Sequence, residues 1–136
     1  ESKQEEKGRD SVLEGIPSTF PILLKARRIQ EKAAGVGFDW KIIDQVIDKV
    51  DEEINELKEA ILINDGIDEE LGDVFFTLVN LSRHLNLNPE KSLKKSIEKF
   101  SERFKKIEIE LSNKNIKMKD LTLGQLDEIW EKNKNK

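Results

Sequence analysis

Four acidic residues near the centre of the chain form two pairs with the same spacing. Glu53 and Glu56 lie in the stretch EEINE, and Glu70 and Asp73 lie in the stretch EELGD. Residues three positions apart share one face of a helix, with Cβ atoms about 5–6 Å apart. Two such helices packed antiparallel would bring four carboxylates together, and Mg²⁺ and Mn²⁺ prefer hard oxygen ligands of this kind. The spacing therefore favours a divalent metal site over a solvent-exposed pair of acidic helices.

The second acidic pair belongs to a helix that the sequence predicts to be largely buried. Apolar residues flank a narrow polar stripe on this helix. The stripe consists of Glu70, Asp73, Thr77, Asn80 and His84. Buried carboxylates are unfavourable unless a cation neutralises them. Because no lysine lies between Lys58 and Lys91, the sequence predicts that the stripe has no counter-charge of its own.

The elements that must position these residues are helices. Apolar residues recur at steps of three and four, which is the helical period, and no alternating strand pattern is present. The predicted helices are residues 23–34, 40–61, 66–85, 89–111 and 122–130. The predicted class is therefore all-α, a helical bundle. The two acidic pairs must lie at the same height along the axes of their antiparallel helices. For this reason we expect the second helix to end near Ala60 or Ile61.

Side chains at the helix starts support these boundaries. Asp39 is a predicted N-cap of the second helix, and Asn88 is a predicted N-cap before Pro89 in the fourth. Thr122 and Gln125 have the spacing of a capping box at the start of the fifth.

Other polar and aromatic residues have two interpretations each. Asn80 is either a satisfied buried amide or a substrate contact, and His84 is interpreted as a helix-end residue. Trp130 is either a core residue, which the pattern alone favours, or a residue that stacks on a base. Phe38 and Trp40 are interpreted as a packing corner.

The fourth predicted helix carries a basic stripe. Its members are Lys95, Lys99, Arg103 and Lys106. Alone, such a stripe is typical of a solvated face, and Lys134 likewise fits a solvated tail. Beside a metal site, however, lysine and arginine are the residues that bind polyphosphate oxygens.

Composition excludes several other classes of protein. The 136 residues have a formal net charge of −4, so a broad nucleic-acid surface is not expected. The absence of cysteine rules out thiolate sites, and the single histidine disfavours zinc. Without an apolar run of about 18–20 residues or a signal-peptide pattern, the sequence predicts a cytoplasmic protein. Residues 1–12 are a predicted polar linker or disordered end, and residues 13–136 a predicted single domain.

Five segments of the chain together resemble the MazG family of nucleoside triphosphate pyrophosphohydrolases. These segments are RRIQEKAAGVGFDW, KVDEEINELKEA, EELGDVFFTLVNLSRHL, EKFSERFKKIE and LDEIW, within residues 11–134. The resemblance implies an all-α interlocked homodimer that requires Mg²⁺, with Mn²⁺ as a substitute. It also implies hydrolysis of NTPs and dNTPs to the monophosphate and pyrophosphate. The stretch DSVLEGIP is similar to the approach to a C-terminal catalytic domain, so we expect a preceding N-terminal domain in the full-length protein.

The resemblance also implies roles for individual residues. Those that match the family's metal-binding and catalytic positions are Glu53, Glu56, Glu70 and Asp73. Those that match its substrate-binding positions are Asn80, Lys99, Arg103, Trp130 and Lys134. One departure is Ile97, where the family often has asparagine.

Two alternatives differ from this interpretation. The chain could be a helical dimerisation or interaction module without catalysis, which would take up no Mg²⁺ or Mn²⁺. It could also be a narrower pyrophosphatase, specific for dUTP or for phosphoribosyl-ATP, which a panel of substrates would identify.

Overall fold

The computed structural model describes residues 11–134, and the regular elements in that range are all helical. The α-helices are α1 (Ile22–Ala34), α2 (Ile43–Ile63), α3 (Ile67–His84), α4 (Pro89–Asn113) and α5 (Leu123–Lys132), with a 3₁₀ turn at Met118–Asp120. The predicted all-α class is confirmed. Most of the predicted linker, residues 1–12, lies outside the described residues. No helix in the described range is both long and apolar enough to cross a membrane.

The chain divides into two compact units, one ending at Lys91 and the other beginning at Ser92. In the first unit α2 and α3 form a hairpin, and α1 packs against α3. The buried apolar residues of this unit include Val46, Val50, Ala60, Val74 and Val79. In the second unit the buried apolar residues are Ile107 and Leu111 of α4. The single domain predicted over residues 13–136 stays a prediction.

The turn of the α2–α3 hairpin lies later than the sequence predicted. α2 continues to Ile63, so the predicted ending near Ala60 or Ile61 is wrong. Asn64 ends the helix in the left-handed conformation, with φ at 55°, and Asp65 N–H donates to the Ala60 carbonyl at 3.1 Å. Asparagine tolerates this conformation, so the helix can be capped there without glycine. α3 then follows Gly66, which is where the sequence placed its start.

The connection between α1 and α2 is also longer than predicted. α1 ends before Gly35 as expected, but α2 begins at Ile43 and not at Trp40. Asp39 is not a helix cap, because its carboxylate accepts hydrogen bonds from the Trp40 N–H at 2.9 Å and from the Arg83 side chain. Asp39 therefore binds the Arg83 side chain of α3 and does not cap α2.

The two other predicted caps are confirmed. Asn88 lies immediately before α4. Its Oδ1 accepts hydrogen bonds from the backbone N–H groups of Glu90 and Lys91, in the first turn of α4, at 2.9 and 3.3 Å. Thr122 and Gln125 form both bonds of the capping box at the start of α5.

A large apolar surface on the α2–α3 hairpin is exposed in the single chain. The prediction that α3 is largely buried is therefore wrong for one chain. We call this surface the hairpin apolar face; it consists of Ile47, Ile54 and Ile61 on α2 and Leu71, Phe75 and Leu78 on α3. The three α2 residues are seven positions apart and the α3 residues are four and three apart, so each set lies on one side of its helix.

Candidate functional site

Three carboxylates from the hairpin lie together in the first unit. Glu53 comes from α2, while Glu70 and Asp73 come from the first half of α3. One oxygen atom from each residue lies within 4.8 Å of the others. Three of the four predicted carboxylates therefore meet despite the later turn, because glutamate side chains are long and flexible enough to cover the offset. Glu53 is buried, Glu70 is half-buried and Asp73 is exposed, so the cluster opens from the core toward solvent.

Two oxygens of this cluster lack a partner. Glu53 Oε2 and Glu70 Oε2 are both shielded from solvent, and neither has a hydrogen-bond partner among the described residues. A buried carboxylate oxygen without a donor or cation is unfavourable by about 1–3 kcal/mol or more. Three hard oxygen donors with two unpaired atoms fit a divalent cation such as Mg²⁺ or Mn²⁺.

Glu56 lies close enough to the cluster to be repelled by it. The negative charge of Glu53 is the largest cause of a raised pKa for the Glu56 carboxyl, and burial and the charge of Glu70 raise it further. Glu56 is not among the three residues whose oxygens converge. The structure thus brings three of the four predicted metal ligands together and places the fourth within their electrostatic field.

We expect Glu56→Gln to raise the thermal unfolding midpoint of the metal-free protein at pH 7. Since the folded-state pKa of Glu56 is raised, the folded chain binds more protons than the unfolded chain between the two pKa values. The stability contribution of this group is therefore greatest at low pH and falls as the pH rises through that window. Unfolding in EDTA should show a gain for the variant at neutral pH that disappears near about pH 4.

Glu59→Gln provides the matched control for this prediction, because Glu59 is an exposed glutamate on the same helix. Its midpoint should stay near that of the wild type at both pH values. A lower midpoint for Glu56→Gln than for the wild type at neutral pH would contradict the repulsion.

Lys49 supplies a cation that the sequence analysis missed. Its Nζ lies 3.1 Å from Glu53 Oε1 and 3.4 Å from Glu52 Oε1. The hydrogen bond to Glu53 is the largest cause of a raised pKa for Lys49. Glu53 therefore has a counter-charge on its own helix, which the predicted stripe of α3 did not include. The signal was present in the sequence, since Lys49 lies one helical turn before Glu53.

A cavity of about 500 Å³ adjoins the acidic cluster, and Glu53 and Asp73 line it. Its volume lies within the range of roughly 300–1,000 Å³ that is common for small-molecule sites. The wall also includes Phe38 and Trp40, and Phe38 is 79% exposed. The interpretation of these two aromatic residues as a packing corner is therefore wrong, because an open aromatic wall faces the cavity.

Asn80 also lines the cavity, and Arg83 fixes its side chain. Arg83 Nε and Nη2 donate to Asn80 Oδ1 at 3.1 and 2.7 Å. Arg83 in turn makes two hydrogen bonds to the Asp39 carboxylate, at 2.6 and 3.0 Å. These bonds from Arg83, followed by that from His84, lower the pKa of Asp39. His84 is the last residue of α3, as predicted.

Gln30 of α1 is a further cavity residue that the sequence analysis did not single out. It is buried, and its Nε2 donates to the Phe76 carbonyl at 2.9 Å. Its Oε1 has no hydrogen-bond partner among residues 11–134. An amide within the apolar face of α1 was the available signal, and it does not by itself distinguish a packing role from a ligand contact.

The second unit brings together three of the four remaining predicted residues. The Arg103 guanidinium lies 5.7 Å from the centre of the Trp130 ring, and Arg103 Nη2 donates to the Lys134 carbonyl at 3.0 Å. The Trp130 ring also packs against Phe100 with centroids 5.0 Å apart. Lys99 is exposed one turn before Arg103 on α4. Trp130 is thus packed and partly open, which is compatible with both of its predicted interpretations.

Comparison with known proteins identifies the family. Residues 43–108, which span α2, α3 and most of α4, match the MazG nucleotide pyrophosphohydrolase domain. Over 134 residues the chain is 46% identical to the nucleoside triphosphate pyrophosphohydrolase/pyrophosphatase MazG of Thermotoga maritima, covering 97% of this chain and 52% of that protein. The chain belongs to the MazG family. The matched range of the MazG domain contains the acidic cluster, Lys49 and Asn80.

Two other relatives match at lower identity. The chain is 38% identical over 130 residues to the nucleoside triphosphate pyrophosphohydrolase of Escherichia coli K12, covering 93% of this chain and 49% of that protein. It is 34% identical over 65 residues to the uncharacterized protein YabN of Bacillus subtilis, covering 48% of this chain and 13% of YabN. The chain therefore spans about half the length of the two MazG-type relatives.

Proposed function

We propose that this chain hydrolyses nucleoside triphosphates, both ribo- and deoxyribonucleotides, to the nucleoside monophosphate and pyrophosphate. The observation that carries the proposal is the convergence of three carboxylate oxygens within 4.8 Å beside a cavity of about 500 Å³. The names of the Thermotoga maritima and Escherichia coli relatives state the same class of activity for those proteins. The cavity has room for a nucleotide, and the carboxylates are suited to the cation that accompanies a triphosphate.

Glu53, Glu70 and Asp73 would hold a Mg²⁺ ion, with Glu56 beside them as a further ligand. The two unpaired buried oxygens of Glu53 and Glu70 support this assignment. When bound, the ion supplies Lewis-acid polarisation of a phosphoryl oxygen and of water. Mn²⁺ would substitute, because it prefers the same oxygen donors.

Glu56 is suited to accept the proton of the attacking water. Glu56 lies beside the three converging carboxylates, within the electrostatic field of Glu53 and Glu70, and a carboxylate with one oxygen that does not bind the ion can act as a general base. The family resemblance implies that Lys99 and Arg103 contact the substrate phosphates and that Trp130 and Lys134 contact the nucleotide. Cationic side chains of this kind stabilise the charge that develops on a pyrophosphate leaving group.

Lys49 is expected to stabilise the metal-free cluster. Lys49→Met would leave Glu53 buried without its counter-charge, so the metal-free unfolding midpoint should fall. Because Lys49 is about a third exposed, we expect a loss of only about 1–2 kcal/mol. Added Mg²⁺ should restore more stability to the variant than it adds to the wild type. Thermal unfolding with EDTA and then with Mg²⁺ measures both effects.

Lys58→Met is the control for the Lys49 prediction, because Lys58 is an exposed lysine on the same helix. Equal losses in the two variants would show that Glu53 does not depend on Lys49.

We also propose that two copies of the chain form a dimer through the hairpin apolar face. Monomeric proteins rarely expose contiguous apolar patches of more than a few hundred Å². The two apolar stripes of this face, for example at Ile54 and Phe75, are typical of helices that pack against a partner. A second copy of the same chain is the partner that the family resemblance implies.

A substrate panel tests the proposed activity. The full chain is incubated with the common NTPs and dNTPs, with dUTP and with phosphoribosyl-ATP, in Mg²⁺ and separately in EDTA. We expect equimolar monophosphate and pyrophosphate from several nucleotides in Mg²⁺ and none in EDTA. Release from dUTP alone or from phosphoribosyl-ATP alone would favour the narrower pyrophosphatases. Release of inorganic phosphate with a diphosphate, or no product from any nucleotide, would reject the proposal.

A further inference from the structure

The Asn80 side chain is fixed in one of the two orientations that an amide can take. Both Arg83 hydrogen bonds are made to Oδ1, so a flip of the amide would lose both of them. Asn80 is only 5% exposed, and it lines the cavity. Within the described part of the chain, the hydrogen bonds of the Asn80 side chain are the two that Oδ1 accepts from Arg83. The amide oxygen is therefore bonded to Arg83, and the amide N–H groups are available to donate to a ligand.

The orientation of Arg83 is itself fixed by the α1–α2 connection. Its Nη1 and Nη2 donate to the two oxygens of Asp39, which is 44 residues away in the sequence. Paired hydrogen bonds between guanidinium and carboxylate are strong and fix the plane of the guanidinium. His84 Nε2 lies 3.0 Å from Asp39 Oδ1, the same oxygen that accepts from Arg83 Nη2, and so adds a second side-chain contact to this carboxylate. Asp39 thus sets the position of Arg83, and Arg83 sets the orientation of Asn80.

The position of Asn80 along α3 indicates which part of a nucleotide it would meet. Asn80 follows Asp73 by seven residues, which corresponds to about 10 Å along the helix axis. Thr77 lies between them and also lines the cavity. Phosphates bound at the carboxylates would thus place the nucleoside, and not the phosphates, at the level of Asn80.

We propose that Asp39 and Arg83 are positioning residues that hold Asn80 as a hydrogen-bond donor to an acceptor atom on the nucleoside part of the substrate. The inference rests on the proposed function and adds the residue that discriminates between nucleosides. The 2′-hydroxyl oxygen of the sugar and a carbonyl oxygen or ring nitrogen of the base are acceptors of this kind. Asp39 and Arg83 also line the cavity, and the inference is that they act through the orientation of Asn80 and not through a substrate contact of their own.

Steady-state kinetics of single and double variants test this arrangement. Asn80→Ala and Arg83→Met should each raise KM about tenfold for the preferred nucleotide, with kcat changed by less than about twofold. The double variant should have the same KM as Asn80→Ala, because Arg83 acts only through Asn80. Arg83→Lys should recover part of the loss, since lysine retains a charge and a donor. Arg28→Met, at an exposed arginine of α1, is the control and should behave as the wild type.

Comparison of nucleotides identifies the acceptor. A loss of discrimination between ribo- and 2′-deoxynucleotides in Asn80→Ala would place it on the sugar, and a loss of discrimination between bases would place it on the base. Asn80→Asp, which has the same shape but no N–H, should reproduce the KM of Asn80→Ala. It also provides the test if Arg83→Met does not fold.

Three results would overturn the inference while leaving the proposed function intact. These are additive losses in the double variant, an unchanged KM in both Arg83→Met and Asn80→Asp, and an equal rise in KM for every nucleotide. A wild-type chain that hydrolyses none of the nucleotides would instead overturn the proposed function, and the inference with it.

Discussion

Asp73→Asn is expected to reduce Mg²⁺-dependent release of pyrophosphate by at least about a thousandfold, which corresponds to about 4 kcal/mol in the activation free energy. Asp73 supplies one of the three converging oxygens and lines the cavity. The substitution keeps the shape of the side chain but removes its negative charge, and a neutral amide is a much weaker ligand for a hard cation. Because Asp73 is exposed, the helices should remain folded.

Asp68→Asn is the matched control, because Asp68 is an exposed aspartate in the first turn of the same helix and lies outside the cluster. It should retain wild-type turnover. Rates are measured as pyrophosphate release at saturating nucleotide, and circular dichroism confirms that both variants are helical. Turnover of Asp73→Asn within about tenfold of the wild type would show that this carboxylate does not take part in the reaction.

Phe75→Asp is expected to convert the proposed dimer into monomers. Phe75 is 56% exposed in the single chain and lies in the α3 stripe of the hairpin apolar face. Burial of a phenylalanine side chain contributes about 1.5–3 kcal/mol, and an aspartate facing an apolar partner adds the cost of burying a charge. In a symmetric dimer each substitution acts twice. Sedimentation equilibrium should therefore give the mass of one chain for the variant and of two for the wild type.

Leu123→Asp is the control for the dimer prediction. Leu123 is 83% exposed at the start of α5 and is not part of the hairpin apolar face. The variant should sediment with the mass of two chains. A monomeric wild type, or a Phe75→Asp variant that is still dimeric, would show that this face has another role.

Local sequence signals predicted most of the helices and the acidic cluster. The period of apolar residues and the caps at Asn88 and Thr122 are properties of neighbouring residues, so they are readable without a structure. The convergence of Glu53 with Glu70 and Asp73 also followed from local spacing, once two helices joined by a short turn were assumed. The predicted end of α2 was wrong, but the carboxylates still converge because the glutamate side chains are long.

Contacts between residues far apart in the sequence could not be predicted in the same way. The bonds from Arg83 to Asp39 depend on how the α1–α2 connection crosses the end of α3, and no spacing rule encodes that crossing. The same contact explains why Asp39 does not cap α2. Lys49 is different, because its pairing with Glu53 is local and could have been found from the i,i+4 spacing.

Binding of Mn²⁺ to the full chain tests the central claim most directly. Electron paramagnetic resonance detects the loss of free Mn²⁺ as protein is added, without any requirement for turnover. We predict saturable binding to the wild type, competition by Mg²⁺, and loss of the binding in Asp73→Asn but not in Asp68→Asn. No uptake by the wild type, with or without a nucleotide, or the same uptake by Asp73→Asn, would contradict the assignment of Glu53, Glu70 and Asp73 as a metal site.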